Sequence, residues 1–298
     1  MLSALRLDQG KPLSCHDTRL KLMAFSGFTF SRYTALGDSY AAGDGPYMPF
    51  DHPDNIVCNR TTVSYPNTFF TKYSKSSDTF SFPACSGADT GHVLEQISSP
   101  EFGSPDLVSI NVGGDNAGNL DFLRLGIFAE VVGACIEDNP LLDCQTEINN
   151  ASFIIGQFGP VIDQVLQAAA KTNLAGGKRT VVLLGYMQFY NINAAISSCP
   201  PDNPNYPYTG WYQPSLGSGG VADKINQLVI AANTQLNESA IRNGALFVNT
   251  DAAFAGHRIC DSEPWFQTPD KPPYASIMHP TADGYAAMAA AMANKLGM

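Results

Sequence analysis

The sequence predicts a single-domain α/β protein, a three-layer α/β/α sandwich built on a parallel, flavodoxin-like sheet. From Arg32 onward, short apolar segments alternate with helical segments, which is the pattern of a parallel sheet covered by helices on both faces. The apolar segments are rich in β-branched or large side chains and are bounded by Gly, Pro, Asn or Asp. A length of 298 residues is enough for one large core. No internal repeat or interdomain linker interrupts the alternation.

Five strands are predicted, over residues 33–36, 79–82, 107–112, 180–186 and 246–249. Six helices are predicted, over residues 65–73, 90–97, 120–131, 147–171, 221–242 and 282–295. The last three carry apolar residues at spacings of three and four, and Thr281 is a good N-cap for the final helix. Two segments break the pattern: a short polar loop over 135–144 and a Pro/Tyr/Gly-rich excursion over 197–220.

The composition argues against several classes of partner. A formal net charge of −10 and scattered basic residues do not suit binding to nucleic acid, which needs a basic patch. No apolar run approaches the roughly 18 residues that span a membrane, so we expect no stable membrane insertion. No Cys-x-x-Cys pair or comparable spacing indicates a metal site. We expect a monomer without a cofactor.

Two signals point to an oxidising compartment although the N-terminus does not resemble a signal peptide. Charged residues interrupt any apolar stretch near the start of the chain. Seven cysteines nevertheless suggest disulfides, which persist outside the cytosol, and glycosylation sequons begin at Asn59, Asn150 and Asn237. We expect an extracellular protein in which residues 1–31 form a non-catalytic segment in the place of a leader. Residues 32–298 then form the single folded domain.

Two motifs at opposite ends of the chain suggest serine chemistry. Gly37-Asp38-Ser39 follows the first predicted strand and presents a serine on a tight turn, and His279 stands just before the last predicted helix. A serine hydroxyl is a poor nucleophile unless a base lies within hydrogen-bond reach. His279 is the candidate for that base, and Asp38 is expected to cap the helix that follows the turn.

The same edge of the predicted sheet collects further polar residues. Ser39, Gly87 and Asp115 each come after a predicted strand. Because ligands of parallel α/β sheets bind outside the carboxyl ends of the strands, we expect these three residues to converge on one site.

Four motifs in this order carry a resemblance to a known family. They are Gly37-Asp38-Ser39, Ala84-Cys85-Ser86-Gly87-Ala88-Asp89-Thr90, Gly113-Gly114-Asp115-Asn116, and His279-Pro280 followed by Gly284-Tyr285. Over residues 32–298 the chain resembles the SGNH/GDSL hydrolases, and within them the secreted actinobacterial and fungal esterase/lipase branch. The segment over residues 254–260, with Pro264-Trp265, is similar to the same branch.

The resemblance implies a carboxylic ester hydrolase that acts on a small-molecule or lipid ester without a cofactor. Ser39 would attack the ester carbonyl and form an acyl-enzyme, and His279 would serve as general base and then as general acid. The backbone N–H groups of Ser39 and Gly87, with a side chain of the third motif, would form the oxyanion hole. Two alternatives stay open: a carbohydrate acetyl esterase, and a catalytically weak lipid- or glycan-binding protein on the same fold.

This chain departs from the family pattern at two positions. The aspartate expected three residues before the histidine is Ser276, so we expect a Ser–His dyad in which the backbone carbonyl of Ser276 or Ile277 holds the imidazole. The third motif carries Asp115 where the family has an asparagine donor. An ionised carboxylate about 4 Å from the oxyanion would cost roughly 4 kcal/mol at an effective dielectric of 20. Either Asp115 is protonated, which we prefer, or Asn116 donates instead, or the protein is a poor esterase.

Disulfide pairing does not follow from the residues alone, since six cysteines allow 15 pairings. The resemblance implies Cys58–Cys85, Cys135–Cys144 and Cys199–Cys260, which leaves Cys15 unpaired. The first would brace the loop that carries Gly87, and the third would tie down the Pro-rich excursion.

Overall fold

One parallel five-stranded sheet organises the molecule. The structure, a computed structural model, describes residues 27–45, 57–116, 126–136, 143–171, 179–202, 213–268 and 277–298. The strands are β1 (Arg32–Gly37), β2 (Thr79–Ser81), β3 (Leu107–Asn111), β4 (Thr180–Leu184) and β5 (Leu246–Val248). They lie in the order β2-β1-β3-β4-β5 and every neighbouring pair is parallel. This is the flavodoxin-like order, so the predicted fold class is confirmed.

The strands form where the sequence is apolar because the middle of the sheet is covered on both faces. All five residues of β3 are buried, and β1 is buried after its first residue. Strands buried on both sides read as continuous apolar runs rather than as an alternating pattern. No predicted strand end differs from the observed end by more than two residues.

Eight α-helices accompany the sheet in the described part of the chain. They are α1 (Ser39–Ala42), α2 (Tyr65–Tyr73), α3 (Thr90–Ser98), α4 (Ile127–Cys135), α5 (Cys144–Gly156), α6 (Phe158–Ala170), α7 (Val221–Asn243) and α8 (Ala282–Leu296). Helix α2 packs against α8, whereas α3 packs on α6 and α6 on α7. The two groups form the two helical layers of the sandwich.

Two predicted helices are wrong in their extent. The helix predicted over 120–131 begins at Ile127, because Gly126 adopts an extended N-cap conformation, and it continues to Cys135. Residues 120–125 lie outside the described residues. The helix predicted over 147–171 is two helices that meet at Gln157, whose backbone N–H turns back to the carbonyls of Ile154 and Ile155. Glycine at position 156 is a poor helix former, which fits a break at this point.

The strand order brings the ends of three strands side by side. Strand β1 lies between β2 and β3, so the turns that follow these strands leave the sheet at neighbouring positions. The final helix, α8, begins just after Pro280 and brings His279 to the same edge.

Near the start of β1, Phe30 is buried and stacks on Phe69, with 5.7 Å between the ring centroids.

Candidate active site

A sharp turn at the end of β1 presents Ser39. Gly37 has a φ of +134°, and a Cβ atom at this position would lie 2.1 Å from the carbonyl oxygen of Asn111, so only glycine fits. The Gln96 side chain fixes the turn, because it accepts from the Gly37 N–H at 2.9 Å and donates to the Gly37 carbonyl at 3.0 Å. Ser39 therefore begins helix α1 in a fixed position.

A buried hydrogen-bond network ties this turn to the loop after β3. One carboxylate oxygen of Asp38 accepts from the Tyr40 N–H at 3.0 Å, and the other accepts from the Tyr186 hydroxyl. The Tyr186 oxygen in turn accepts from the Gly114 N–H at 2.8 Å. Asp38 is fully buried, and burial raises its pKa well above the ordinary value, while the Tyr186 and Tyr40 hydrogen bonds act in the opposite direction.

Ser39 and His279 form a direct hydrogen bond. The distance from Ser39 Oγ to His279 Nε2 is 2.7 Å, and Ser39 is 7% exposed. His279 Nδ1 lies 3.2 Å from the Ile277 carbonyl oxygen. With the Nδ1 proton directed at this carbonyl, the lone pair of Nε2 faces the serine hydroxyl. Ser276, the other residue expected to supply a carbonyl, lies outside the described residues.

Two backbone donors at the site have no acceptor within the described part of the chain: the N–H groups of Ser39 and Gly87. Gly87 is exposed and has a φ of +79° in a turn that the Ala88 N–H closes onto the Cys85 carbonyl at 3.1 Å. Such unengaged N–H groups can stabilise negative charge that develops on a bound carbonyl oxygen.

The turn that carries Gly87 is braced on both sides. Cys85 is bonded to Cys58, and the Ser86 N–H donates to the Cys58 carbonyl at 3.1 Å. The Ser86 hydroxyl donates to a carboxylate oxygen of Asp44 at 2.9 Å, and Asp44 follows helix α1. The brace therefore links the Gly87 turn to the segment that carries Ser39.

The disulfides are the three pairs implied by the resemblance. The structure contains Cys58–Cys85, Cys135–Cys144 and Cys199–Cys260. Cys15 lies outside the described residues.

Asp115 is a half-buried carboxyl group that makes no hydrogen bond within the described residues. Gly126 packs so closely that a Cβ atom there would lie 2.7 Å from Asp115 Oδ1. Burial raises the pKa of Asp115 from its ordinary 3.8 to about 6; Asp89 and Asp44 add to the increase, and His279 opposes it. The carboxyl group is therefore neutral in mildly acidic solution and predominantly ionised above neutral pH.

Asn116 anchors the same loop to helix α3. Its Oδ1 accepts from the Thr90 N–H at 3.0 Å, and its own N–H donates to the Gly113 carbonyl at 3.1 Å. The Nδ2 group of Asn116, also a donor, makes no hydrogen bond within the described residues.

Two other histidines have structural partners of their own. His257 stacks on Trp265 with 3.6 Å between the ring centroids, and its Nδ1 lies 2.8 Å from the Glu263 carbonyl oxygen. His92 Nδ1 lies 2.8 Å from Asp89 at the start of α3. The described residues contain no group of three or more His, Cys, Asp or Glu side chains that could hold a metal ion.

Two tyrosines of the site were missed by the sequence reasoning. Tyr40 follows Ser39 directly, and its hydroxyl donates to the Met278 carbonyl at 2.7 Å. Tyr186 lies just beyond the carboxyl end of β4 and joins Asp38 to Gly114. The position of Tyr186 at the end of a predicted strand was an available signal, since such ends collect functional side chains.

The sequence profile of the GDSL-like lipase/acylhydrolase family matches residues 35–287. The chain belongs to this family. This GDSL-like protein is accordingly an ester-hydrolysing enzyme, and the resemblance seen in its four motifs is confirmed.

Individual relatives of the GDSL-like protein are lipases. A lipase from Streptomyces rimosus is 32% identical over 257 residues, which span 85% of this chain and 81% of the relative. The crystal structure of an extracellular lipase from the same organism matches with a TM-score of 0.68 and 29% identity, covering 89% of this chain and 99% of that one. Phospholipase A1 from Streptomyces albidoflavus matches with a TM-score of 0.69 and 28% identity, covering 90% and 100%.

None of the helices in the described part of the chain has both the length and the apolar character that crossing a bilayer requires.

Proposed function

We propose that the protein is a secreted, monomeric carboxylic ester hydrolase that acts through a Ser39–His279 dyad and an acyl-Ser39 intermediate. The observation that carries this proposal is the 2.7 Å contact between Ser39 Oγ and His279 Nε2, together with two N–H groups that have no acceptor among the described residues. A nucleophile, a base and an oxyanion site then lie within reach of one carbonyl carbon. The catalytic domain spans residues 32–298, residues 1–31 are not part of the machinery, and no cofactor is needed.

In the first half of the reaction, Ser39 Oγ attacks the ester carbonyl and its proton passes to His279 Nε2. The imidazolium that forms is stabilised by its Nδ1–H bond to the Ile277 carbonyl, 3.2 Å away. The N–H groups of Ser39 and Gly87 donate to the oxyanion of the tetrahedral intermediate. Collapse of that intermediate breaks the bond to the alcohol, which takes the proton from His279. Water then hydrolyses the acyl-enzyme by the same steps, with His279 as base.

A third donor to the oxyanion comes from the loop after β3. Protonated Asp115 is the preferred candidate, because burial favours its neutral form in mildly acidic solution. Asn116 is the alternative, through its Nδ2 group. An ionised Asp115 would instead oppose the oxyanion, and that repulsion is what supports the second candidate function, a weakly catalytic lipid- or glycan-binding protein.

The preferred substrates are lipid esters or small acyl esters rather than sugar acetates. Support comes from the two Streptomyces structures, described as an extracellular lipase and as phospholipase A1. Three disulfides support secretion, since such bonds persist in oxidising compartments.

Hydrolysis of p-nitrophenyl esters from acetate to palmitate, at pH 4 to 9, tests the function. We expect turnover that disappears in Ser39→Ala, and fluorophosphonate labelling of the unmodified protein that disappears in the same variant. Ser98→Ala, which removes an exposed serine hydroxyl on α3, is the matched control and should retain both. A folded protein that neither hydrolyses these esters nor takes the label would instead support the binding protein.

A further inference from the structure

One tyrosine contacts both the backbone beside His279 and the imidazole itself. Tyr40 is 7% exposed, and its hydroxyl donates to the Met278 carbonyl at 2.7 Å. The centroid of its ring lies 5.0 Å from that of His279, with 34° between the ring planes. A single side chain, next in sequence to Ser39, therefore contacts both the His279 ring and the peptide carbonyl that precedes His279.

The segment before His279 needs such support because its backbone is strained. Met278 has a φ of +68°, a conformation that is unfavourable for a non-glycine residue and persists only where the surroundings hold it. The backbone there also pairs with Gln267, whose carbonyl accepts from the Met278 N–H at 3.3 Å and whose N–H donates to the His279 carbonyl at 2.8 Å. The Tyr40 hydroxyl adds the contact that fixes the Met278 carbonyl, at 2.7 Å.

The hydrogen bond at Nδ1 of the imidazole is a weak one. His279 Nδ1 faces the neutral Ile277 carbonyl at 3.2 Å, whereas hydrogen bonds to ionised acceptors are shorter and about twice as strong. A base whose Nδ1 meets no carboxylate among the described residues depends more on the contacts of its ring and backbone. Tyr40 supplies one contact of each kind.

Tyr40 is itself rigidly placed and remains a donor. Its ring meets that of Tyr186 edge to face, with 5.3 Å between centroids, and the Tyr186 hydroxyl is fixed by Asp38. Burial, with the nearby Asp38 and Asp115 carboxyl groups, raises the pKa of Tyr40 well above its ordinary value. The hydroxyl therefore keeps its proton across the pH range in which a serine esterase works.

We propose that Tyr40 is a positioning residue that holds His279 against Ser39, in compensation for the missing carboxylate of a full triad. The inference rests on the proposed dyad mechanism. Loss of the hydroxyl frees the Met278 carbonyl and lets the imidazole leave the aligned geometry. Because alignment contributes to the chemical step rather than to substrate binding, the loss acts on kcat and leaves KM in place.

The test compares Tyr40→Phe with Tyr33→Phe. Tyr33 is a matched control, since it is also a buried tyrosine of the same chain segment and shares a 2.7 Å hydrogen bond with Ser109 Oγ. We expect Tyr40→Phe to lower kcat about tenfold or more with KM within about twofold, and to slow fluorophosphonate labelling of Ser39 by the same factor. Tyr33→Phe should leave both rates unchanged, even if it lowers the Tm as much as Tyr40→Phe does.

A proton NMR signal gives a readout that a general loss of stability does not move. The Nδ1 proton of His279 should give a sharp downfield resonance in the unmodified protein and in Tyr33→Phe, and a broadened one in Tyr40→Phe. A Tyr40→Phe variant with unchanged kcat and labelling rate overturns the proposal, as does an equal loss of kcat in both variants. Activity or labelling that survives in Ser39→Ala would instead contradict the dyad mechanism itself.

Discussion

Asp115 places an ionisable carboxyl group where the related motif carries an amide, and the consequences are local. The group has no hydrogen-bond partner in the described structure, and its pKa lies at about 6. An oxyanion hole built with this side chain works only while the carboxyl group holds its proton, which couples turnover to pH through a single residue.

Replacing Asp115 by asparagine should remove that coupling. The neutral donor form of Asp115 is lost as the pH rises through about 6, whereas an amide donates at every pH. We expect kcat of Asp115→Asn to exceed that of the unmodified enzyme by about tenfold at pH 8 and to approach it near pH 5. Esterase pH profiles of the two proteins measure this ratio. A large loss of kcat in a folded Asp115→Asn enzyme would refute the donor role of the acid.

The same variant should change stability with a defined sign. A carboxyl group whose native pKa of about 6 exceeds its ordinary 3.8 favours folding when protonated, and this contribution is lost as the pH rises from about 4 to 6. Two pKa units correspond to about 3 kcal/mol, and partial exposure reduces the expected effect to about 1–2 kcal/mol. Urea unfolding should show Asp115→Asn more stable by this amount at pH 7.5 and equal at pH 4. Equal differences at both pH values would contradict the assigned ionisation.

Asn116 provides the control for the alternative donor. If the Asn116 amide supplies the third hydrogen bond, Asn116→Ala should lose kcat while Asp115→Asn gains little. The Thr90 N–H that Asn116 now satisfies lies at a helix end accessible to solvent, so water can replace that contact.

Among the elements, the junction between β1 and α1 determines whether the site forms. Its geometry depends on Gly37, because a Cβ atom at this position would collide with the carbonyl oxygen of Asn111 at the end of β3. The Asn111 carbonyl that prevents a side chain at this position also accepts from the Asp38 N–H at 3.0 Å. The close approach is therefore part of the hydrogen bonding that joins the two strands at the site.

Gly37→Ala should be far more harmful than an alanine at another glycine with positive φ. A methyl group at position 37 would lie 2.1 Å from a backbone oxygen, whereas at Gly103, with a φ of +62°, nothing lies within 4 Å. We expect a loss of about 3 kcal/mol or more in the free energy of unfolding for Gly37→Ala and about 1 kcal/mol for Gly103→Ala. Thermal unfolding and esterase assays of both variants measure the contrast. Similar losses in the two would show that strand proximity at Gly37 is not the cause.

The three disulfides have different roles in the molecule as a whole. Cys58–Cys85 lies beside the Gly87 turn, whereas Cys135–Cys144 joins the end of α4 to the start of α5. Cys199–Cys260 closes the longest loop, with a sequence separation of 61, against 9 for Cys135–Cys144. By reducing the entropy of the unfolded chain, the disulfide of the long loop should stabilise the fold by about 4 kcal/mol and that of the short loop by about 2.5 kcal/mol.

Paired alanine substitutions should separate these roles. Removing Cys58–Cys85 should lower kcat at temperatures where the protein remains folded, because the turn that presents the Gly87 N–H loses its brace. Removing Cys135–Cys144 should lower Tm slightly and leave kcat intact, and removing Cys199–Cys260 should lower Tm most. Activity assays below each Tm, together with calorimetry, check the ranking. An unchanged kcat without Cys58–Cys85 would contradict the bracing role.

The sequence pattern predicted the sheet well because burial of whole strands leaves a local signal. The site was predictable where residues follow strand ends, as for Ser39. Tyr40 and Tyr186 escaped because their hydroxyl partners, Met278 and Asp38, lie 238 and 148 residues away, and no local pattern encodes such contacts. The helix break at Gln157 escaped because the apolar stripe continues across it.

The contact between Ser39 and His279 joins positions 240 residues apart, and this separation has a consequence for biosynthesis. A growing chain carries Ser39, the proposed nucleophile, from early in translation but receives His279, the proposed base, only after the whole sheet has emerged. During that time the hydroxyl of Ser39 has no base to activate it. The proposed dyad forms only when α8 docks against α2, so we expect no ester to be hydrolysed by the nascent polypeptide until the fold has closed.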